Sequence, residues 1–313
     1  MAKPDSNKLK DAPSPTAQTS GRRTGKRSRR WVLITLLALL VGLPIAAQLK
    51  QQWPQLSAGY DNQRLSVERI WRRAYVRFQG ALPNTPDLKN LNVRLAKAGQ
   101  KSGNPVLMRI FKQEFELEIW LQKNGAYHHF ATYPICRFSG RLGPKLKEGD
   151  RQAPEGFYTV SKGQLNPNSR WHRSFNLGFP NIHDRSHNRT GSFLMVHGGC
   201  SSIGCYAMTN AVMDEVWSLV TAALDNGQAR FQVQAYPFRM TTENLAARSK
   251  HKWSPFWADL KRGYDLFEQT KSAPKVAVCN RRYTFAEGSD KARSASRITK
   301  DCKYAPKVAH AIE

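Results

Sequence analysis

The sequence predicts a mixed α+β protein: a mostly β domain with flanking helices, preceded by one N-terminal membrane-anchor helix. Three observations predict it. Short apolar or alternating runs bounded by Gly, Pro and Asn occupy 106–111, 115–121, 127–135 and 156–161, and return at 192–197 and 231–236. A helical apolar period over 210–224 interrupts them, with Val212, Met213, Val216, Leu219, Val220 and Ala223 on one side. A nearly continuous apolar stretch, 31–47, stands ahead of everything else.

Each element has a local reason. Lys123-Asn124-Gly125 supplies an Asn-Gly hairpin turn between the second and third strands. Asn226-Gly227 stops the long helix. Residues 64–78 read as a helix face studded with Arg, and 242–270 as two short helical patterns. The polar stretch 162–190 reads as a long loop. In chain order this predicts a disordered basic cytoplasmic leader (1–30) and a transmembrane signal anchor or signal peptide (31–49). A linker and helical segment (50–104), a main domain (105–270) and an irregular C-terminal tail (271–313) follow.

Charge and cysteine usage narrow the function. Lys+Arg number 49 against 23 Asp+Glu, a net charge of +26. That suits an anionic wall polymer, an anionic membrane face or nucleic acid. No nucleic-acid-binding motif accompanies the charge, and one apolar segment is too few for a channel or transporter. The run from Arg22 to Arg30 flanks the apolar stretch and should stay cytoplasmic. The expected location is therefore the bacterial inner membrane, single-pass, with the main domain in the periplasm, or the periplasm itself if the signal is cleaved after Ala47. Five cysteines in an exported chain leave at least one thiol without an intramolecular partner. Cys279 and Cys302 are expected to staple the tail, and Cys136–Cys200 is a second candidate disulfide.

One segment carries the ingredients of nucleophilic catalysis. A buried strand ends at His197, a Gly/Ser loop follows, and Cys205 stands before a helix. A thiolate needs an imidazole to hold it, a helix N-terminus favours negative charge, and glycines let backbone N–H groups approach an oxyanion. The residues alone leave two other readings open: a structural Cys200–Cys205 pair, and a metal site with His197.

The segment resembles the catalytic motif of the L,D-transpeptidase (YkuD-like) family. The resemblance rests on His197-Gly198, on Ser202-Ile203-Gly204-Cys205 and on Ala153-Pro154-Glu155-Gly156-Phe157-Tyr158. Leu142-Gly143-Pro144-Lys145, Phe179-Pro180-Asn181 and Tyr236-Pro237-Phe238-Arg239-Met240 resemble the YafK-like branch. Two departures stand out: Ile203 occupies the place of the usual His, and only seven residues separate His197 from Cys205.

The resemblance implies a β-sandwich-like catalytic domain that needs no cofactor or metal. It implies Cys205 as nucleophile, His197 as general base, the Gly198 carbonyl as its orienting partner, and an oxyanion hole from Gly204 and Cys205 N–H. Arg185, Ser202 and Tyr158 are candidate substrate-binding residues. The implied substrates are peptidoglycan stem peptides containing meso-diaminopimelate, processed through a Cys thioester by a transpeptidase or an amidase. A wall-linked lipoprotein is an implied partner. The alternative is a non-catalytic peptidoglycan-binding envelope protein that kept the fold.

Overall fold

The computed structural model describes residues 60–289 and 293–304. The leader, the expected anchor at 31–49 and the first part of the linker lie outside the described residues. Among the described residues, no helix is long and apolar enough to cross a membrane.

The chain enters on helix α1 (residues 60–79), followed by α2 (Leu91–Lys97). Strands β1 (Val106–Phe111), β2 (Glu116–Lys123) and β3 (Ala126–Pro134) form an antiparallel meander. Between β2 and β3, Asn124 and Gly125 take φ of 51° and 86°. Those left-handed values are what a two-residue hairpin turn needs. With β5 (Gly156–Ser161) and β10 (Arg230–Tyr236) these strands build a first sheet of order β3-β2-β1-β10-β5, in which β1 and β10 run parallel.

A second sheet has the order β4-β9-β8-β7-β6. Its strands are β4 (Arg137–Phe138), β6 (Leu165–Ser169), β7 (His172–Asn176), β8 (Met195–His197) and β9 (Tyr206–Ala207). The long helix α4 (Asn210–Asp225) buries Val212, Met213, Val216 and Val220 in one core with Met108 and Ile110 of β1 and Phe175 and Val196 of the second sheet. The opposite face of the first sheet is covered too. There Phe111, Phe157 and Tyr236 pack with Trp257 and Leu260 of α6 (Ser254–Thr270) and with Val276, Val278 and Tyr283. Burial on both faces explains why β1 reads as an apolar run, broken only by Arg109, rather than an alternating one. Helices α3 (Ile182–Ser186) and α5 (Thr242–Ala246) are short connectors.

Two expectations are corrected. The 162–190 stretch is not a loop: it folds into the β6–β7 hairpin and α3. The tail is not irregular throughout, because β11 (Lys275–Cys279) and β12 (Arg282–Ala286) pair as a hairpin. Val276, Val278, Tyr283 and Phe285 pack with Trp257 and Leu260 of α6, so a few apolar side chains suffice to dock it.

A buried ion pair fixes the loop that precedes β5. Lys112 and Glu155 are both fully buried and lie 3.0 Å apart. Glu155 also accepts from Gly143 N–H at 2.7 Å and the Trp257 indole at 2.9 Å, while Lys112 donates to the Gly143 carbonyl at 2.9 Å. Every partner of this pair is satisfied, as burying two charges requires. The Pro-Glu-Gly segment is thereby tied to 141–143 and to α6.

Candidate active site

The second sheet places the two reactive side chains. Strands β8 and β9 are parallel neighbours, with Val196 opposite Tyr206 and His197 opposite Ala207. Val196 and Tyr206 point into the main core. Alternation therefore turns His197, and Cys205 one residue before β9, to the other side of the sheet.

The loop between them is held at both ends. Met208 N–H donates to His197 O at 2.7 Å and Cys200 N–H to Met208 O at 3.0 Å. Cys200 is bonded to Cys136, which tethers the loop to the segment after β3. Asn210 Oδ1, at the start of α4, accepts Gly199 N–H at 2.7 Å. A side chain at Gly198 would put its Cβ 2.7 Å from that same oxygen, so only glycine fits.

The His197 ring is 2% exposed, and its Nδ1 lies 2.6 Å from the Gly198 carbonyl. A carbonyl only accepts, so Nδ1 carries the proton and Nε2 is left as the base. Burial lowers the imidazole pKa, opposed in part by the Gly198 bond. Of the five cysteines, Cys205 alone is unpaired, with Cys279 bonded to Cys302. Its sulfur accepts from Met195 N–H at 3.4 Å and faces the Phe193 carbonyl at 3.6 Å. Burial pushes its thiol up, and the Met195 N–H and the Lys145 ammonium pull it partly back. Both shifts favour neutral thiol beside neutral imidazole. No hydrogen bond joins the ring to the sulfur, and both shifts run against the expected resting thiolate–imidazolium pair.

Other expectations change as well. Strand β9 and Met208–Thr209 separate Cys205 from α4, so the helix N-terminus caps the Gly199 side of the loop rather than the sulfur. Ser202, expected to shape the loop or to bond to substrate, does the former as a loop clasp. Its hydroxyl accepts from Cys205 N–H at 2.9 Å and Gly204 N–H at 3.2 Å and donates to Cys205 O at 2.7 Å. Those two N–H groups are consequently occupied, and the expected oxyanion hole of Gly204 and Cys205 is not free in this state. Tyr158 is buried with its hydroxyl 3.0 Å from Asp184, a core role rather than a substrate contact. Arg185 donates to the Pro180 carbonyl and lines a cavity of ≈ 330 Å³ with Asn181, Arg230 and Arg297. That cavity includes neither His197 nor Cys205. Among the described residues, no His/Cys/Asp/Glu cluster could hold a metal, so the metal reading of His197, Cys200 and Cys205 falls away with the Cys136–Cys200 bond.

Several neighbours were not legible beforehand. Lys145 is 4% exposed and ion-paired with Asp150 at 2.5 Å, and its charge reaches Cys205. Ser139 donates to the Ser202 carbonyl at 2.7 Å. Phe193, whose carbonyl faces the sulfur, and Ile203, two residues before Cys205, are 72% and 76% exposed. The phrase Leu142-Gly143-Pro144-Lys145 was the one signal that pointed near Lys145.

Sequence comparison places this geometry. The signature of the L,D-transpeptidase catalytic domain (YkuD) matches residues 112–262, the span that contains every residue of the site just described. A protein of Escherichia coli (strain K12), provisionally named L,D-transpeptidase YafK, is 47% identical over 188 residues, covering 60% of this chain and 76% of that relative. The chain belongs to the L,D-transpeptidase family. Its mixed α+β architecture of several sheets is the one that this family membership carries. Two solved structures also align. The helical cell shape determining protein Pgp2 from Campylobacter jejuni does so at 19% identity and TM-score 0.35, over 57% of this chain and 64% of that one, less than two thirds of its length. Bd1075 from Bdellovibrio bacteriovorus does so at 12% identity and TM-score 0.33, over 58% and 84%.

Proposed function

We propose that this L,D-transpeptidase-family chain is a peptidoglycan-modifying cysteine acyltransferase or amidase. The observation that carries the reading is the single unpaired thiol, Cys205, set on the same sheet face as a histidine whose tautomer leaves Nε2 bare. The substrate is a stem peptide carrying meso-diaminopimelate, as the family implies. As the Cys205 sulfur attacks the carbonyl carbon beside a D-centre, His197 Nε2 takes the thiol proton. Collapse of the tetrahedral species breaks the amide bond, and the imidazolium returns that proton to the departing amine. The thioester then passes its acyl group to an amine, which forms a cross-link or attaches a protein. Water as acceptor instead releases a wall-linked protein, the amidase outcome of a YafK-like enzyme.

Two disulfides favour an oxidising compartment, the periplasm, with residues 31–49 as the membrane segment. A net charge of +26 attracts both wall polymers and anionic headgroups. The test incubates the protein with purified peptidoglycan and reads fragment masses. New cross-links, attached protein and released protein differ in mass. Cys205→Ala is expected to abolish every change while keeping the melting temperature, and an equally active variant refutes the assignment. Failure of an acylating carbapenem probe to label Cys205 would favour the non-catalytic wall-binding alternative.

A further inference from the structure

The outward face of α1 carries an apolar stripe that no described residue covers. Helical spacing aligns Tyr60, Val67, Trp71 and Phe78, with Ile70 beside them, and they are 68%, 62%, 43%, 79% and 71% exposed. The inward face is docked. Leu65 is buried, Arg69 donates to the Gly140 carbonyl and sits over the Phe138 ring, and Arg72 donates to the Ile135 carbonyl at 3.1 Å. A helix docked along one side ordinarily turns polar residues to solvent on the other. Here the solvent side is apolar along most of its middle, interrupted by exposed Gln63, and flanked by exposed Arg64, Arg73 and Arg77.

We propose that this face of α1 rests on the anionic surface of a lipid bilayer, an inference that depends on reading 31–47 as the membrane segment. An apolar centre with arginine margins is the composition of helices that lie in the headgroup region. Tyr60 and Trp71 are the ring types that favour that depth. Twelve residues, 48–59, separate the apolar segment from Tyr60, a reach of roughly 40 Å. A second copy of the chain is the poorer occupant, because it would bring the same three arginines against each other. Lipid contact through α1 would hold the catalytic domain at the membrane surface rather than letting it range across the wall.

Site-specific photocrosslinking in the full-length protein tests this. Benzoylphenylalanine is placed at Val67, at Phe78 or, as a control on another surface, at Lys162, and the protein is reconstituted into vesicles containing phosphatidylglycerol. After irradiation, the peptides containing positions 67 and 78 are expected to gain a phospholipid mass, and the one containing 162 is not. The yield is expected to fall several-fold when phosphatidylcholine replaces phosphatidylglycerol. Adducts to residues 31–47 or to another protein chain, equal yields in the two lipids, or no lipid adduct at 67 and 78 would each overturn it. Flotation of the same samples reports separately on whether 31–47 enters the bilayer, and the rate of Cys205 alkylation confirms that each variant is folded.

Discussion

Ser202 closes a ring of hydrogen bonds around Cys205: one hydroxyl accepts the Cys205 N–H at 2.9 Å and donates to the Cys205 carbonyl at 2.7 Å. The clasp sets the backbone on both sides of the sulfur before substrate binds. It also occupies the donors that an oxyanion would want. Substrate entry must therefore either displace the hydroxyl or find other N–H groups.

Ser202→Ala separates these possibilities. Removing the hydroxyl strands two N–H groups and one carbonyl in a site only 8% exposed. Each buried group left unsatisfied costs about 1–3 kcal/mol. A melting temperature lower by several degrees is expected, with at least a tenfold loss in kcat from the misplaced thiol. If activity rises instead, the hydroxyl competes with the oxyanion.

The pH profile follows from the neutral pair. His197 must be unprotonated to accept the thiol proton, and burial lowers its pKa from 6.5. The acid limb of kcat/KM should have its midpoint below pH 6.5, and activity should rise with pH through it. The raised thiol adds no inflection near neutrality. His197→Gln is expected to lose about 10²–10⁴-fold and to abolish the limb. An ascending acid limb that tracks thiolate formation, with a descending basic limb that tracks deprotonation of the imidazolium, would favour a resting ion pair instead.

Acid should also destabilise the fold through His183. This ring is buried, stacked 4.0 Å from Tyr283, and its pKa is pushed down to about 2 by desolvation first and the Arg189 charge second. The unfolded chain takes up a proton near pH 6.5 that the native state refuses. The contribution of this ring to stability is thus complete above 6.5 and shrinks as pH falls toward 2, by at most about 1.4 kcal/mol per pH unit. His183→Phe keeps the stack and removes the unbonded Nδ1. Urea unfolding at pH 7 and pH 4 should show a smaller loss on acidification in the variant than in the parent.

The Cys136–Cys200 bond ties the segment after β3 to the loop that leaves His197, closing a sequence separation of 64. Cys136→Ser with Cys200→Ser is expected to lower stability by about 2–4 kcal/mol. It should lower activity more than Cys279→Ser with Cys302→Ser, whose bond holds the distant hairpin. Peptidoglycan assays of both pairs with and without reductant check the order.

The chemistry-bearing residues were visible because glycine and serine must surround them. Gly198 has no room for a Cβ and Gly204 takes φ of +130°, so the motif reads in the sequence itself. Strands β1 and β5 were legible to the residue because both faces bury apolar side chains. The β6–β7 hairpin was hidden, since Asn166, Pro167 and Asn168 lie exposed at a sheet edge and carry no apolar pattern. The roles of Ser202, Asn210 and Lys145 depend on which backbone groups the fold brings to them, and no local period encodes that.

Phe193 and Ile203 expose large apolar side chains near Cys205. Such side chains would gain about 25 cal/mol for each Å² that a substrate covers. Ile203 makes this flank apolar. If the two side chains grip the aliphatic part of a stem peptide, Phe193→Ala and Ile203→Ala should each raise KM several-fold and leave kcat near the parent value. Combined, their effects on kcat/KM should multiply if the contacts are independent. A drop in kcat at unchanged KM would instead place Phe193 in setting the sulfur, through the carbonyl that Cys205 faces at 3.6 Å.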